Sequence, residues 1–178
     1  LDGLGYINKD LNFAPVSKFD NIDIPCATEL GITVTNTPDP VTEPTADLAM
    51  GLILAVARRI ADVDKRLRIP GALTWGLLEN LGYSLYGKTL GIIGMGRIGQ
   101  ALAKRAVASG MKIIYFNRNR LDSRIEALYN AEYVSLDELF TTADVVSVNA
   151  PHTAQTTHIV DAHRLEQMKP TAILVNTA

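Results

Sequence analysis

The sequence predicts an α/β fold built on a doubly wound parallel sheet, and three observations carry that prediction. The first is Leu90-Gly91-Ile92-Ile93-Gly94-Met95-Gly96-Arg97-Ile98-Gly99, an apolar run that breaks into a glycine-rich turn and continues as a helical segment over residues 100–106. The second is the apolar run of residues 111–116, which follows Gly110, a glycine placed where a helix C-terminus calls for one; together they read as one βαβ unit. The third is that two more short apolar runs, residues 145–149 and 172–176, alternate with helical segments. Such alternation implies parallel strands covered by helices on both faces.

Composition sets the frame. With 178 residues, 47% of them hydrophobic, the chain has enough apolar material for one packed domain, or one domain plus a fragment. A formal net charge of −2 with mixed signs makes no electrostatic case for nucleic acid or an anionic membrane surface. No apolar run approaches the roughly 18 residues of a membrane span and no signal pattern stands at the N-terminus, so a cytoplasmic protein without a membrane partner is expected. The single cysteine, Cys26, excludes an internal disulfide; it lacks the spacing of a nucleophile or metal ligand and reads as a small buried apolar residue.

Taken in order, residues 1–16 show no usable period. Residues 24–30 read as a short helix with Pro25 in its first turn, stopped by Gly31, and residues 32–36 as a short strand. Thr37-Pro38-Asp39-Pro40 reads as a rigid connector. Thr45 is the expected N-cap of the next helix, residues 46–59, with Asp47 in its first turn. Leu48, Leu52, Ala55 and Arg59 share one stripe, yet Met50, Ile53, Leu54 and Val56 fill most of the remainder, so this helix is expected to be buried on several sides, between domains or against a second subunit. Residues 69–87, with Pro70, four glycines and Trp75, read as a long connection; Trp75 either serves binding or subunit contact or only pins the loop to its own domain.

In the glycine turn each glycine has a task. Gly94 makes the turn, Gly96 lets a pyrophosphate approach the backbone, and Gly99 lets the helix pack closely on its strand. The N–H groups of the helix start then favour an anion, which makes a dinucleotide-binding, Rossmann-type domain the expectation. Further on, Ser135 and Glu138 spell a capping box for a helix over residues 136–141. Strand 145–149 ends at Asn149-Ala150-Pro151-His152, on the side where such folds hold ligands. Asp161 caps a helix through Leu165 and Met168 that Pro170 ends, and strand 172–176 leads to Thr177-Ala178. His152, His158 and His163 stand in no triad or metal spacing and read as surface residues, so no metal site is predicted.

Cofactor choice is read at the end of the second strand. The residue 23 positions past Gly94 is the neutral Asn117 rather than an acidic residue, and Arg118 and Arg120 follow. An amide bonds a ribose 2′-OH without repelling a 2′-phosphate, and an arginine fork suits the phosphate, so the site reads as one for NAD or NADP, with NADP favoured. The other reading of the two arginines is solvated loop charge.

Several stretches resemble the D-isomer-specific 2-hydroxyacid dehydrogenases, the family that includes phosphoglycerate dehydrogenase and glyoxylate or hydroxypyruvate reductase. Asp20-Asn21-Ile22-Asp23, Thr35-Asn36-Thr37-Pro38, Thr45-Ala46-Asp47-Leu48, Ala57-Arg58-Arg59 and Gly87-Lys88-Thr89-Leu90-Gly91 occur in the family's order. So do Asn149-Ala150-Pro151 with Thr156, Met168-Lys169-Pro170 and Val175-Asn176-Thr177-Ala178. The resemblance implies hydride transfer between a nicotinamide and C2 of a 2-hydroxy or 2-oxo acid, by a homodimer joined through its nucleotide-binding domains. It implies that the backbone at Arg97 and Ile98 meets the pyrophosphate, that Ala150 and Pro151 line the adenosine side with Thr156 nearby, and that Thr177 and Ala178 approach the nicotinamide. For residues 149–151 an ordinary strand-to-loop exit is the alternative.

The departures matter too. The family's arginine–glycine pair after this last strand, and its later glutamate and histidine, are not among these residues, and Val16-Ser17-Lys18-Phe19 stands where a glycine-rich substrate loop belongs. No catalytic residue is therefore assigned. Residues 1–40 are expected to be a remnant of a substrate domain and residues 41–178 the nucleotide-binding domain. The chain reads as an incomplete dehydrogenase, with a non-catalytic dinucleotide-binding module or a remnant that dimerises through helix 46–59 as alternatives.

Overall fold

The computed structural model describes residues 13–16, 22–36, 40–74, 76 and 78–178; the connector at residues 37–39 and Trp75 lie outside them. The chain divides into two compact units, Leu1–Glu43 and Pro44–Ala178. In the first, strand β1 (Phe13–Val16) pairs in parallel with β2 (Thr33–Asn36), Phe13 opposite Thr33, and helix α1 (Ile24–Glu29) lies between them in sequence. The Asp23 carboxylate caps α1 by accepting the Cys26 N–H at 3.0 Å, and Gly31 takes the left-handed conformation (φ +68°) that ends it. Cys26 is exposed, contrary to the buried residue expected. A six-residue helix turns only one narrow wall inward, and Ala27 occupies it.

Helix α2 (Thr42–Ala57) begins three residues before the expected cap, so Thr45 and Asp47 lie inside it. Pro44 stands in the first turn, where its missing N–H has no partner to lose. Asp47 instead pairs with Arg105 at 2.6 Å. Within this chain the helix is buried on one side. It buries Ala46, Ala49, Met50, Ile53 and Ala57, while Leu48 and Val56 remain 58% and 56% exposed, because one layer of this chain meets it and its apolar residues continue around the other side. The helix also ends earlier than expected. The Ala57 carbonyl accepts the Tyr83 N–H at 2.9 Å, Arg59 adopts a left-handed conformation (φ 56°), and a second helix, α3 (Ile60–Leu67), follows. Gly82 makes this contact possible, since a Cβ there would lie 2.4 Å from the Ala57 carbonyl oxygen. No helix or strand stands among the described residues of the connection expected over 69–87, and it is tied to α3 by Arg66, which donates to Asn80 Oδ1 at 2.6 Å and to the Ala72 carbonyl at 2.9 Å.

The second unit is organised on a five-stranded parallel sheet of β3 (Thr89–Ile93), β4 (Lys112–Phe116), β5 (Ala131–Tyr133), β6 (Val145–Val148) and β7 (Ile173–Asn176). Their order is β5-β4-β3-β6-β7. The helices between them are α4 (Arg97–Ala108), α5 (Ser123–Tyr129), α6 (Leu136–Thr142) and α7 (Ala162–Gln167). One face carries Leu90, Ile92, Tyr115 and Val145 under α2 and α4, and the other carries Ile93, Ile114, Val146 and Val148 under α6. This is the expected α/β architecture with both faces covered. At β7 burial alternates, Ile173 and Val175 inside and Leu174 and Asn176 exposed.

The expected caps form: Ser135 Oγ accepts the Glu138 N–H at 3.2 Å, and Asp161 accepts the Arg164 N–H at 2.8 Å. Helix α5, capped by Asp122, and strand β5 are elements that periodicity did not reveal; at seven and three residues they are too short to show one. At the end of the sheet where its strands begin, Asp144 accepts the Thr89 N–H at 2.8 Å and the Lys169 ammonium at 2.9 Å, tying β3 to the segment before β7.

Candidate dinucleotide site

Because all five strands run the same way, their C-terminal ends share one edge. The chain leaves β3 for β4 and β5 on one side, then crosses to β6 and β7 on the other. The point between β3 and β6 is therefore the switch point where outgoing loops part and leave a crevice. The glycine turn stands there. Gly94 has φ +90°, and a Cβ on it would lie 2.7 Å from the Ala150 nitrogen, so the turn and the β6 exit touch backbone to backbone. A Cβ on Gly99 would lie 2.6 Å from the Gly94 carbonyl oxygen. Gly96 differs from both: an added Cβ would meet nothing within 4 Å.

Gly96 is also the N-cap of α4, and no side chain caps that helix. The first bond of helical type runs from the Gln100 N–H to the Gly96 carbonyl at 2.9 Å, so the N–H groups of Ile98 and Gly99 have no carbonyl one turn back to donate to. A 12-residue helix therefore presents its positive end to open space beside Gly96, with Arg97 exposed and Ile98 half-buried at its start. A helix start of this kind favours an anion.

At the β4 exit, Asn117 Oδ1 accepts the Met95 N–H at 2.7 Å, joining this exit to the glycine turn. Arg118 is exposed and makes no hydrogen bond or ion pair among the described residues. Arg120 departs from the expected fork. Its Nε and Nη2 donate to the two oxygens of Glu126 at 2.8 and 2.9 Å, so a carboxylate of the chain already holds it. The bonds from Arg120, and then the one from the Tyr115 hydroxyl, hold the Glu126 carboxyl down to about 2, against the opposing effect of its burial. Burial, and then the same hydrogen bond to Glu126, push the Tyr115 phenol up.

At the β6 exit Ala150 is half-buried and Pro151 exposed; Thr156 Oγ1 donates to the Pro151 carbonyl at 2.6 Å and accepts the Thr153 N–H at 2.7 Å, which folds this loop on itself. Thr177 donates its hydroxyl to Asn149 Oδ1 at 3.0 Å and its N–H to the Val148 carbonyl at 3.2 Å, while Asn149 Nδ2 reaches Ser147 Oγ at 3.1 Å. Ala178 is exposed, its N–H on Asn176 Oδ1 at 3.0 Å. The expected site residues thus occupy the exits of β3, β4, β6 and β7 along one edge. His152, His158 and His163 are all exposed. Among the described residues there is no cluster of metal-ligating side chains, and no helix is long and apolar enough to cross a membrane. Reading the sequence missed the Tyr115–Glu126–Arg120 group; an acidic residue in the first turn of a helix that follows a basic loop was its only sign.

Fold and site together define a dinucleotide-binding α/β domain. Residues 50–178 match the model of the D-isomer specific 2-hydroxyacid dehydrogenase family, NAD binding domain, and the chain belongs to that family. It is 51% identical over 164 residues to a glyoxylate reductase of Thermococcus litoralis, covering 90% of this chain and 49% of the relative. Among solved structures it resembles the TT0316 protein of Thermus thermophilus, at 42% identity and a TM-score of 0.85 over 92% of this chain and 52% of that one. It also resembles a glyoxylate reductase of Paecilomyes thermophila, at 41% identity and a TM-score of 0.80 over 92% and 50%. The chain spans about half the length of the curated relatives it matches.

Proposed function

We propose that this chain is the NAD(P)-binding part of a reductase that interconverts a 2-oxo acid and its 2-hydroxy acid, with glyoxylate the first substrate to test. The observation that carries this reading is the open space at Gly96 over the uncapped start of α4, set at the switch point of the sheet. A pyrophosphate would rest on Gly94, Gly96 and Gly99 against the backbone of Arg97 and Ile98. Ala150, Pro151 and Thr156 would line the adenosine side, and Thr177 and Ala178 would approach the nicotinamide. The bound nicotinamide supplies the hydride; the residues of this chain bind and orient it. Proton transfer has no assigned residue here.

Three finer points belong to the same reading. Residues 1–40 belong to a substrate domain and residues 41–178 to the nucleotide-binding domain. NADP is favoured over NAD, supported by the neutral Asn117 and by Arg118, which has no partner among the described residues. A homodimer of cytoplasmic protein forms through the nucleotide-binding domain, supported by the exposed apolar face of α2 at Leu48, Leu52, Leu54 and Val56.

Calorimetric titration with NADH and NADPH tests the binding, and an assay of the protein that contains this chain, with glyoxylate and either reduced cofactor, tests the activity. Failure to bind either dinucleotide would overturn the reading. Tight binding without reduction of any 2-oxo acid would favour a non-catalytic dinucleotide module instead.

A further inference from the structure

The loop that leaves β4 is held by a group of side chains that no binding role yet accounts for. Tyr115, fully buried, donates its hydroxyl to Glu126 Oε1 at 2.6 Å and accepts the Leu121 N–H on the same oxygen at 2.9 Å. Glu126, its side chain 11% exposed, takes Arg120 through both oxygens, and the guanidinium sits 6.0 Å from the centre of the Tyr133 ring. Tyr133 in turn donates to the Asn117 carbonyl at 3.2 Å. Residues 117–121 are thereby fixed from both ends, with Arg118 on the outside and Arg120 drawn toward Glu126.

Resting on the dinucleotide reading above, we infer that Glu126 is a specificity-determining residue: by holding Arg120 in an ion pair within the chain, it leaves discrimination between a ribose 2′-phosphate and a 2′-hydroxyl to Arg118. The fields of a paired guanidinium and carboxylate cancel beyond a few ångströms, so a phosphate arriving at this loop meets one net positive charge rather than two. Two of the three guanidinium nitrogens of Arg120 already donate to Glu126. Removing the carboxylate's charge releases the second cation to the site, whereas removing the pair together leaves the charge there as it was.

The test is the ratio of NADPH to NADH affinity, measured by fluorescence titration, in the parent, R118A, E126Q and the double variant R120M/E126Q. In R118A the NADPH affinity is expected to fall at least about tenfold with NADH affinity little changed, the loss of charge-assisted bonds to a phosphate. In E126Q the ratio is expected to rise by up to about fivefold, the scale of a partly exposed ion pair. In R120M/E126Q the ratio is expected to stay within about twofold of the parent. NADH affinity serves as the control for an intact fold in each protein, a readout a merely structural role of Glu126 would not separate from NADPH affinity. If E126Q does not fold, the double variant, which replaces the pair by uncharged groups, decides alone. A double variant whose ratio drops to that of R118A would make Arg120 the phosphate ligand and overturn the inference, as would an unchanged ratio in E126Q. A parent that binds neither cofactor would overturn the dinucleotide reading itself, an outcome distinct from both.

Discussion

The N–H of Met95 donates to Oδ1 of Asn117 at 2.7 Å, and with the bond from the Gly94 N–H to the Phe116 carbonyl at 3.0 Å it ties the turn after β3 to the exit of β4. The Asn117 oxygen is engaged in the first of these bonds, so an aspartate at the same position keeps an acceptor for Met95 while adding a negative charge where the proposed reading places the ribose.

The double variant Asn117→Asp with Arg118→Ala is therefore expected to keep its fold and to shift preference toward NADH. Adding a like charge and removing an opposite one both act on a 2′-phosphate, and the expected change in the affinity ratio is about tenfold or more. Titrations of both reduced cofactors against both proteins measure it; a parent that already binds NADH more tightly than NADPH would contradict the NADP preference.

Gly96 and Gly94 are expected to separate binding from stability. In Gly96→Val the Cβ stands in open space, so the cost to the fold is that of a branched residue at a helix N-cap, about 1 kcal/mol, while dinucleotide affinity falls at least about tenfold. In Gly94→Ala the Cβ meets the Ala150 backbone at φ +90°, and a loss of about 2 kcal/mol or more in denaturant unfolding is expected. Unchanged dinucleotide affinity in Gly96→Val, measured by calorimetry, would contradict the site.

Glu126 sets a pH dependence. Its carboxyl is held at about 2, against 4.5 without its partners, so the folded state gains from its ionised form above about 4.5 and loses that gain as pH falls toward 2. Thermal unfolding of the parent and of Glu126→Gln between pH 7 and pH 3 is expected to show a gap that narrows below pH 4.5. A gap constant with pH would mean that the carboxylate's charge contributes nothing to stability.

The exposed side of α2 is expected to be a subunit contact. Leu48→Glu with Val56→Glu places two charges on residues 58% and 56% exposed, so the fold should survive while a dimer dissociates in sedimentation. A parent that sediments as a monomer would remove the dimer from the proposal.

What the sequence disclosed were features whose causes are local. The glycine turn, the Ser135 and Asp161 caps and the Gly110 helix end each depend on backbone geometry within a few residues, and each is where the sequence placed it. The break at Arg59 was hidden because its cause, Tyr83 taking the Ala57 carbonyl, arrives from a distant stretch of chain. Arg120 looked like one arm of a fork for the same reason: Glu126 reaches it only once α5 has formed.

The bonds of Asp144 to Thr89 and Lys169 close the opposite end of the sheet, about 16 Å from the glycine turn along a five-residue strand. Substitutions separated by that span, with no shared partner, ordinarily combine without interference. Asp144 and Lys169 can therefore be varied for durability and, on the proposed reading, Asn117 and Arg118 for cofactor choice, as independent settings of one scaffold.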